Sequence, residues 1–315
     1  MMEDYPSLSE GPPSVPEASA PEPAQLSQHI PPSEPTEGER TRSPTTSWPW
    51  WTAPLALLGG LVLATVAGLV VDLPALAFGV DVTSSHTPPG LAIADTFVQD
   101  VAFVITAVYC AQIGARVVRS WQFGLRRPGA GWRRASAMIV GLLGVYLLLG
   151  AAWTEAFHPK AEELLDQLGT NEGTALLLLS AGLTCVIAPM AEEMLFRGYI
   201  FTALRNLRGT LPAAVLTGIV FGGVHYGSAP VLDLVPLGIL GFGLCLLYRY
   251  TGSLYPSMIA HSLNNSIAFA SLESWTFLQG LVLVVLSLLA IGALLVAFGR
   301  VGLIAPSGVP ARSDA

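Results

Sequence analysis

The chain has 315 residues, of which 52% are hydrophobic and only 12% charged, with a mean hydropathy of +0.58. Such a composition excludes an ordinary soluble domain and fits an all-α, polytopic membrane protein. The formal charge of −7 is carried mostly by residues 1–50, where eight Asp/Glu and two Arg leave −6, so nothing basic points to nucleic acid.

Residues 1–50 hold eleven of the 24 prolines and almost no apolar run. A segment of this kind cannot bury enough surface to offset its ordering entropy, which predicts a disordered, cytoplasmic Pro/Ser/Glu-rich tail. It also lacks the charged-then-apolar start of a signal peptide. The stretch TRSP (41–44) reads as part of a solvated tether. A helical membrane domain is expected over 51–304, followed by a short tail over 305–315.

WPWW at 48–51 reads as an interfacial aromatic belt opening the first span, 53–71. Further spans are expected at 97–118, 135–153, 174–204, 211–227, 231–249, 254–272 and 276–299, about eight in all, since a bilayer core needs roughly 20 apolar residues per helix. The loop between the second and third carries six arginines from 116 to 134, and Arg205, Arg208, Arg249 and Arg300 fall on the same side if the helices alternate. The opposite loops hold acidic residues and only Lys160. The positive-inside rule then sets both termini in the cytoplasm. The Arg-rich, Lys-poor composition leans toward a bacterial inner membrane.

Cys110, Cys185 and Cys245 lie singly in apolar runs and read as inert buried thiols. His158 with Glu162 and Glu163 reads as a solvated face, and Asp233 as a helix cap or border.

The informative stretch is AEEMLFRGYI, 191–200, which sets two carboxylates and a guanidinium inside a span. Ionisable groups at such depth are costly and face protein or a wet cavity. The span of 31 residues, roughly 46 Å long, is expected to kink at Pro189. Glu193 and Arg197, at i,i+4, form the natural ion pair, whereas Glu192 points about 100° away and is free for chemistry. His225 ends FGGVH and His261 opens HSLNN, and helical rise sets both within two turns of Glu192 in depth. Asn265 shares a face with His261. A proton relay in a transporter and a purely structural polar cluster remain alternative readings of these groups.

EEMLFRG, FGGVH and HSLNN resemble the ordered motifs EExxxR, FxxxH and HxxxN of the CPBP family, the CAAX-protease and bacteriocin-processing intramembrane peptidases. The match falls on Glu192, Glu193 and Arg197, on Phe221 and His225, and on His261 and Asn265. The resemblance covers about residues 120–272, with WQFGLRRP (121–128) as the lead-in. It implies an eight-helix endopeptidase using a glutamate-activated water: Glu192 as general base, His225 holding the water, His261 and Asn265 on the oxyanion side, Phe221 in support. A metal-free site is favoured, because HExxH is absent; were zinc bound, Glu192, His225 and His261 would be its ligands. The implied partners are the lipid bilayer and a membrane-protein, lipidated or peptide substrate.

Overall fold

A computed structural model of the chain describes residues 48–82, 87–114, 118–159 and 164–300. Residues 1–47 of the expected N-terminal tail, which include TRSP, the C-terminal tail, Arg116, Lys160, Glu162 and Glu163 lie outside these residues. Eight long helices lie where the sequence places its apolar runs: α1 Thr52–Ala77, α2 Pro89–Gly114, α3 Gly131–Phe157, α4 Thr174–Arg208, α5 Thr210–Val224, α6 Leu234–Thr251, α7 Tyr255–Leu272 and α8 Phe277–Arg300. No strand forms among the described residues.

Six of the eight are long and apolar enough to cross a bilayer. The other two differ for separate reasons. Helix α5 is cut to 15 residues, about 22 Å. Helix α7 has 18 residues but spends five of them on His261, Ser262, Asn264, Asn265 and Ser266. The chain is thus an integral membrane protein in which the helix that is short and the helix that is polar are those carrying two of the three motifs. The outer helices show lipid their Leu and Val side chains, as with Leu58, Val62 and Val70 of α1.

Helix α4 lies at the centre, packed by α1, α2, α5, α6, α7 and α8. That position follows from its charges, which need protein rather than lipid around them. Helices α5 and α6 approach closely over Gly218, Gly222 and Gly238. A Cβ built at Gly218 would lie 2.7 Å from the Gly238 carbonyl, so only glycine permits this seam. Gly241, one turn on, leaves room for the Phe221 ring.

The aromatic run at the start of α1 does not act wholly as a belt. Trp50 and Trp51 are half exposed, but Trp48 is buried against Phe123 and Tyr199, 5.0 and 4.7 Å between centroids. Its carbonyl accepts from Asn206 Nδ2. The structured unit therefore reaches back at least to Trp48. The lead-in 120–128 forms a clamp: the Leu254 amide donates to the Gly124 carbonyl, the Gly129 amide to Thr251, and Arg126 Nε to Gly252. Gly124 has φ +82° at this turn, where a side chain would also strike Tyr248.

Candidate active site

Pro189 has no N–H to offer the carbonyl four residues back, and its ring crowds that carbonyl. The carbonyl is that of Cys185. Helix α4 does not break there; it widens into a π-helical turn over Leu183–Ile187. The freed carbonyls turn toward α7, where Ser262 Oγ donates to Cys185 at 2.6 Å and Asn265 Nδ2 to Thr184 at 3.0 Å. HSLNN thus provides the donors that a proline-interrupted helix lacks. A second π-helical stretch, Glu193–Phe201, carries the rest of the first motif.

Within that stretch Arg197 Nη1 donates to Glu193 Oε1 at 2.7 Å, with both side chains fully buried. Arg197 Nη2 reaches the Gly241 carbonyl at 3.2 Å, and the guanidinium carbon lies 4.2 Å from the Phe221 ring centroid. The expected ion pair is present, although the backbone around it is π rather than α. Glu193 has a further partner that helix geometry alone did not supply: His261 Nδ1–H donates to the same Oε1 at 2.9 Å. His261 thereby turns its Nε2 to Glu192, 3.9 Å from Oε2. The two adjacent glutamates address opposite nitrogens of one imidazole.

His225 caps the C-terminus of α5, and its Nδ1–H donates to the Phe221 carbonyl at 2.7 Å. A carbonyl can only accept, so Nδ1 carries a proton and neutral His225 keeps its lone pair on Nε2. Phe221 is the hub of the site. Its ring lies 4.9 Å from His225, 5.6 Å from His261 and 5.3 Å from Phe196.

Glu192, His225, His261, Asn264 and Asn265 line one cavity of about 600 Å³. Glu193 and Arg197 stay behind its wall. Glu192 is 13% exposed, and its Oε2 accepts no hydrogen bond from the protein. Asn264 Nδ2 donates to Asn265 Oδ1 at 3.3 Å, fixing the Asn265 amide plane, and Asn265 keeps one N–H after its bond to Thr184.

Three features were not legible in the motifs. Asp100 of α2 is buried, and neither of its oxygens has a hydrogen-bond partner. A lone acid in an apolar span was the available signal. Asp233 borders α6 as expected, but its side chain makes no cap bond and lines the cavity mouth. His158 ends α3 in a left-handed conformation. Among the described residues no three His, Cys, Asp or Glu side chains are grouped to hold a metal ion.

The chain is similar to YyaK of Bacillus subtilis, 28% identical over 246 residues covering 70% of this chain and 76% of that protein. It is also similar to YxdF, a UPF0177 protein of Lactococcus lactis, 34% identical over 106 residues that cover 32% of this chain and 57% of that protein. No solved structure matches. Residues 174–267, which hold all three motifs and run from the start of α4 almost to the end of α7, match the model of the Rce1-like family, type II CAAX prenyl endopeptidases.

Proposed function

We propose that the chain is an intramembrane endopeptidase that hydrolyses a peptide bond with a water activated by Glu192. The observation that carries this reading is the facing pair on the cavity wall, Glu192 Oε2 and His261 Nε2, 3.9 Å apart with no direct bond. A water about 2.8 Å from each atom would join them at an angle near 90°. Glu192 takes one proton from this water as the oxygen adds to the scissile carbonyl, and later returns it to the leaving amine. With His261 as the imidazolium its Nε2–H donates to the water, whose two protons then go to Glu192 Oε2 and to His225 Nε2, held as an acceptor by the Phe221 carbonyl.

The remaining N–H of Asn265 donates to the developing oxyanion. His261 can join it from Nε2 only as the imidazolium, because its Nδ1–H is held by Glu193. Glu193 and Arg197 position the ring and do not touch substrate. The reaction is written without a metal because the sequence has no HExxH signature.

The Arg-rich helix ends face the cytoplasm by the positive-inside rule, which sets both termini there. The bacterial relatives favour an inner-membrane location.

The test is cleavage of a farnesylated CAAX peptide library by purified chain beside Glu192→Gln. Product formed by the parent protein and lost in Glu192→Gln is expected, with activity surviving prolonged chelation and well under one zinc per chain. Equal turnover by both proteins would sink the assignment of Glu192. Loss on chelation with rescue by zinc alone would make the site a metal centre.

A further inference from the structure

The charges of the molecule are sorted by face. Every described arginine except Arg197 lies at one set of helix ends: the 118–134 segment, Arg205, Arg208, Arg249 and Arg300. The opposite ends carry Asp72, Asp81, Glu155, Glu172, Asp233 and Glu273, with no described Lys or Arg among them.

The catalytic cavity is sealed toward the arginine face and open toward the acidic one. On the arginine side Trp48, Phe123, Tyr199, Phe201 and Leu254 are each at most 2% exposed, and the lead-in clamp ties 124–129 to 251–254. On the acidic side the lining continues past His225 to Trp153, Thr154, Tyr226, Ser228 and Asp233, and Tyr226 is 74% exposed. Among the described residues the charged groups of the lining are the carboxylates Glu192 and Asp233, with no Lys or Arg.

We propose that the substrate is a cationic peptide segment presented at the non-cytoplasmic surface, entering between Tyr226 and Asp233. This rests on the endopeptidase reading of the site. The opening lies on the face that the positive-inside rule sets outside, so a cytoplasmic C-terminal tail would meet the sealed end. The Asp233 carboxylate at the mouth, with Glu192 further in, attracts basic side chains and repels acidic ones, and in the low dielectric of the cavity that difference selects among substrates. Asp233, which makes no cap bond to its own helix, is the specificity-determining residue.

Two measurements separate access from chemistry. The three native cysteines are buried, so an introduced thiol can be read above a low background. In sealed right-side-out vesicles an impermeant maleimide should label Tyr226→Cys and spare Arg134→Cys, and inverted vesicles should give the opposite. Labelling of Tyr226→Cys only in inverted vesicles would overturn the proposal, whatever the enzyme cleaves.

For chemistry, one quenched peptide is made in three versions, with Lys, Gln or Glu flanking the scissile bond. Detergent-solubilised parent protein should cleave the Lys version roughly tenfold faster than the Glu version, as one attraction across a partly dry mouth would give. Asp233→Asn should narrow that ratio to about threefold or less. Right-side-out vesicles should cleave the added peptide and inverted ones should not. Cleavage confined to inverted vesicles, or a preference for the Glu version, refutes the substrate proposal and leaves the endopeptidase intact. No cleavage of any peptide in detergent refutes the endopeptidase reading itself.

Discussion

Arg197→Met retains most of the volume of the side chain and deletes its charge together with its donors to Glu193 and the Gly241 carbonyl, which makes it a direct probe of the buried network. In the parent protein Glu193 Oε1 receives both Arg197 Nη1 at 2.7 Å and His261 Nδ1 at 2.9 Å. Removing the guanidinium leaves a fully buried carboxylate with a single imidazole donor. A charge-assisted hydrogen bond contributes about 1.5–3 kcal/mol, and a desolvated cation over a ring about 2 kcal/mol. The dominant cost is the uncompensated charge, for a total of about 3–5 kcal/mol when one partner of a buried pair is lost. Glu193→Gln should cost a similar amount, because it strands Arg197. The double variant carries no stranded charge, so it should lose clearly less than the sum of the single losses. Glu192→Gln, on the cavity wall, should cost under about 1 kcal/mol. The assay is unfolding of the four variants and the parent in mixed micelles at fixed detergent, read as a double-mutant cycle. Additive losses, or a Glu192→Gln loss equal to that of Glu193→Gln, would refute the division between a structural and a chemical glutamate.

Asn265→Ala should fold and lose about 10²–10³-fold in kcat with little change in KM, as for loss of one oxyanion donor; Asn264→Ala should keep most activity, and the reverse ranking in steady-state kinetics would reassign the donor. Ser262→Ala should lower stability by about 1–3 kcal/mol by orphaning the Cys185 carbonyl, and Pro189→Ala, which returns an N–H to helix α4, should reduce that loss; an unchanged loss in the double variant would contradict the link. Gly218→Val should cut folded yield, since its Cβ would meet the Gly238 carbonyl at 2.7 Å and overpacking costs about 1–3 kcal/mol; a parent-like melt would count against the seam. Asp100→Asn should hold or raise stability, because a buried carboxyl without a partner is unfavourable in the fold, and a marked loss would reveal a partner that Asp100 needs.

What the sequence made legible is what local geometry controls. The i,i+4 spacing gave the Glu193–Arg197 pair, and helical rise correctly brought Glu192, His225, His261 and Asn265 to one cavity. What it did not make legible depends on a partner from a distant helix. Nothing near His261 in sequence says that its Nδ1 is taken by Glu193, 68 residues earlier. WPWW has the composition of a belt, yet Trp48 is drawn inside because Phe123, Tyr199 and Asn206 offer it two rings and a donor. Asp233 stands where a cap belongs but makes no side-chain cap bond, and Asp100 lies in none of the three motifs.

Pro189 connects these failures to the site's position. Taken alone, a mid-span proline predicts a kink, which is the local outcome when the orphaned carbonyl finds no other donor. Here α7 supplies two, so α4 widens and continues through Thr174–Arg208 without a break. Widening changes the angle between successive side chains after the proline, and in that stretch Glu192 faces the cavity while Glu193 faces Arg197. The same turn that costs helix α4 its regular hydrogen bonds fastens it to Ser262, next to His261, and to Asn265, one helical turn beyond it. Motif spacing on α4 and on α7 is therefore one constraint: the donors of α7 must match the carbonyls that Pro189 frees. Moving Pro189 by one residue, with the composition of the helix unchanged, should separate Asn265 from the Thr184 carbonyl and disorder the site while the bundle still folds.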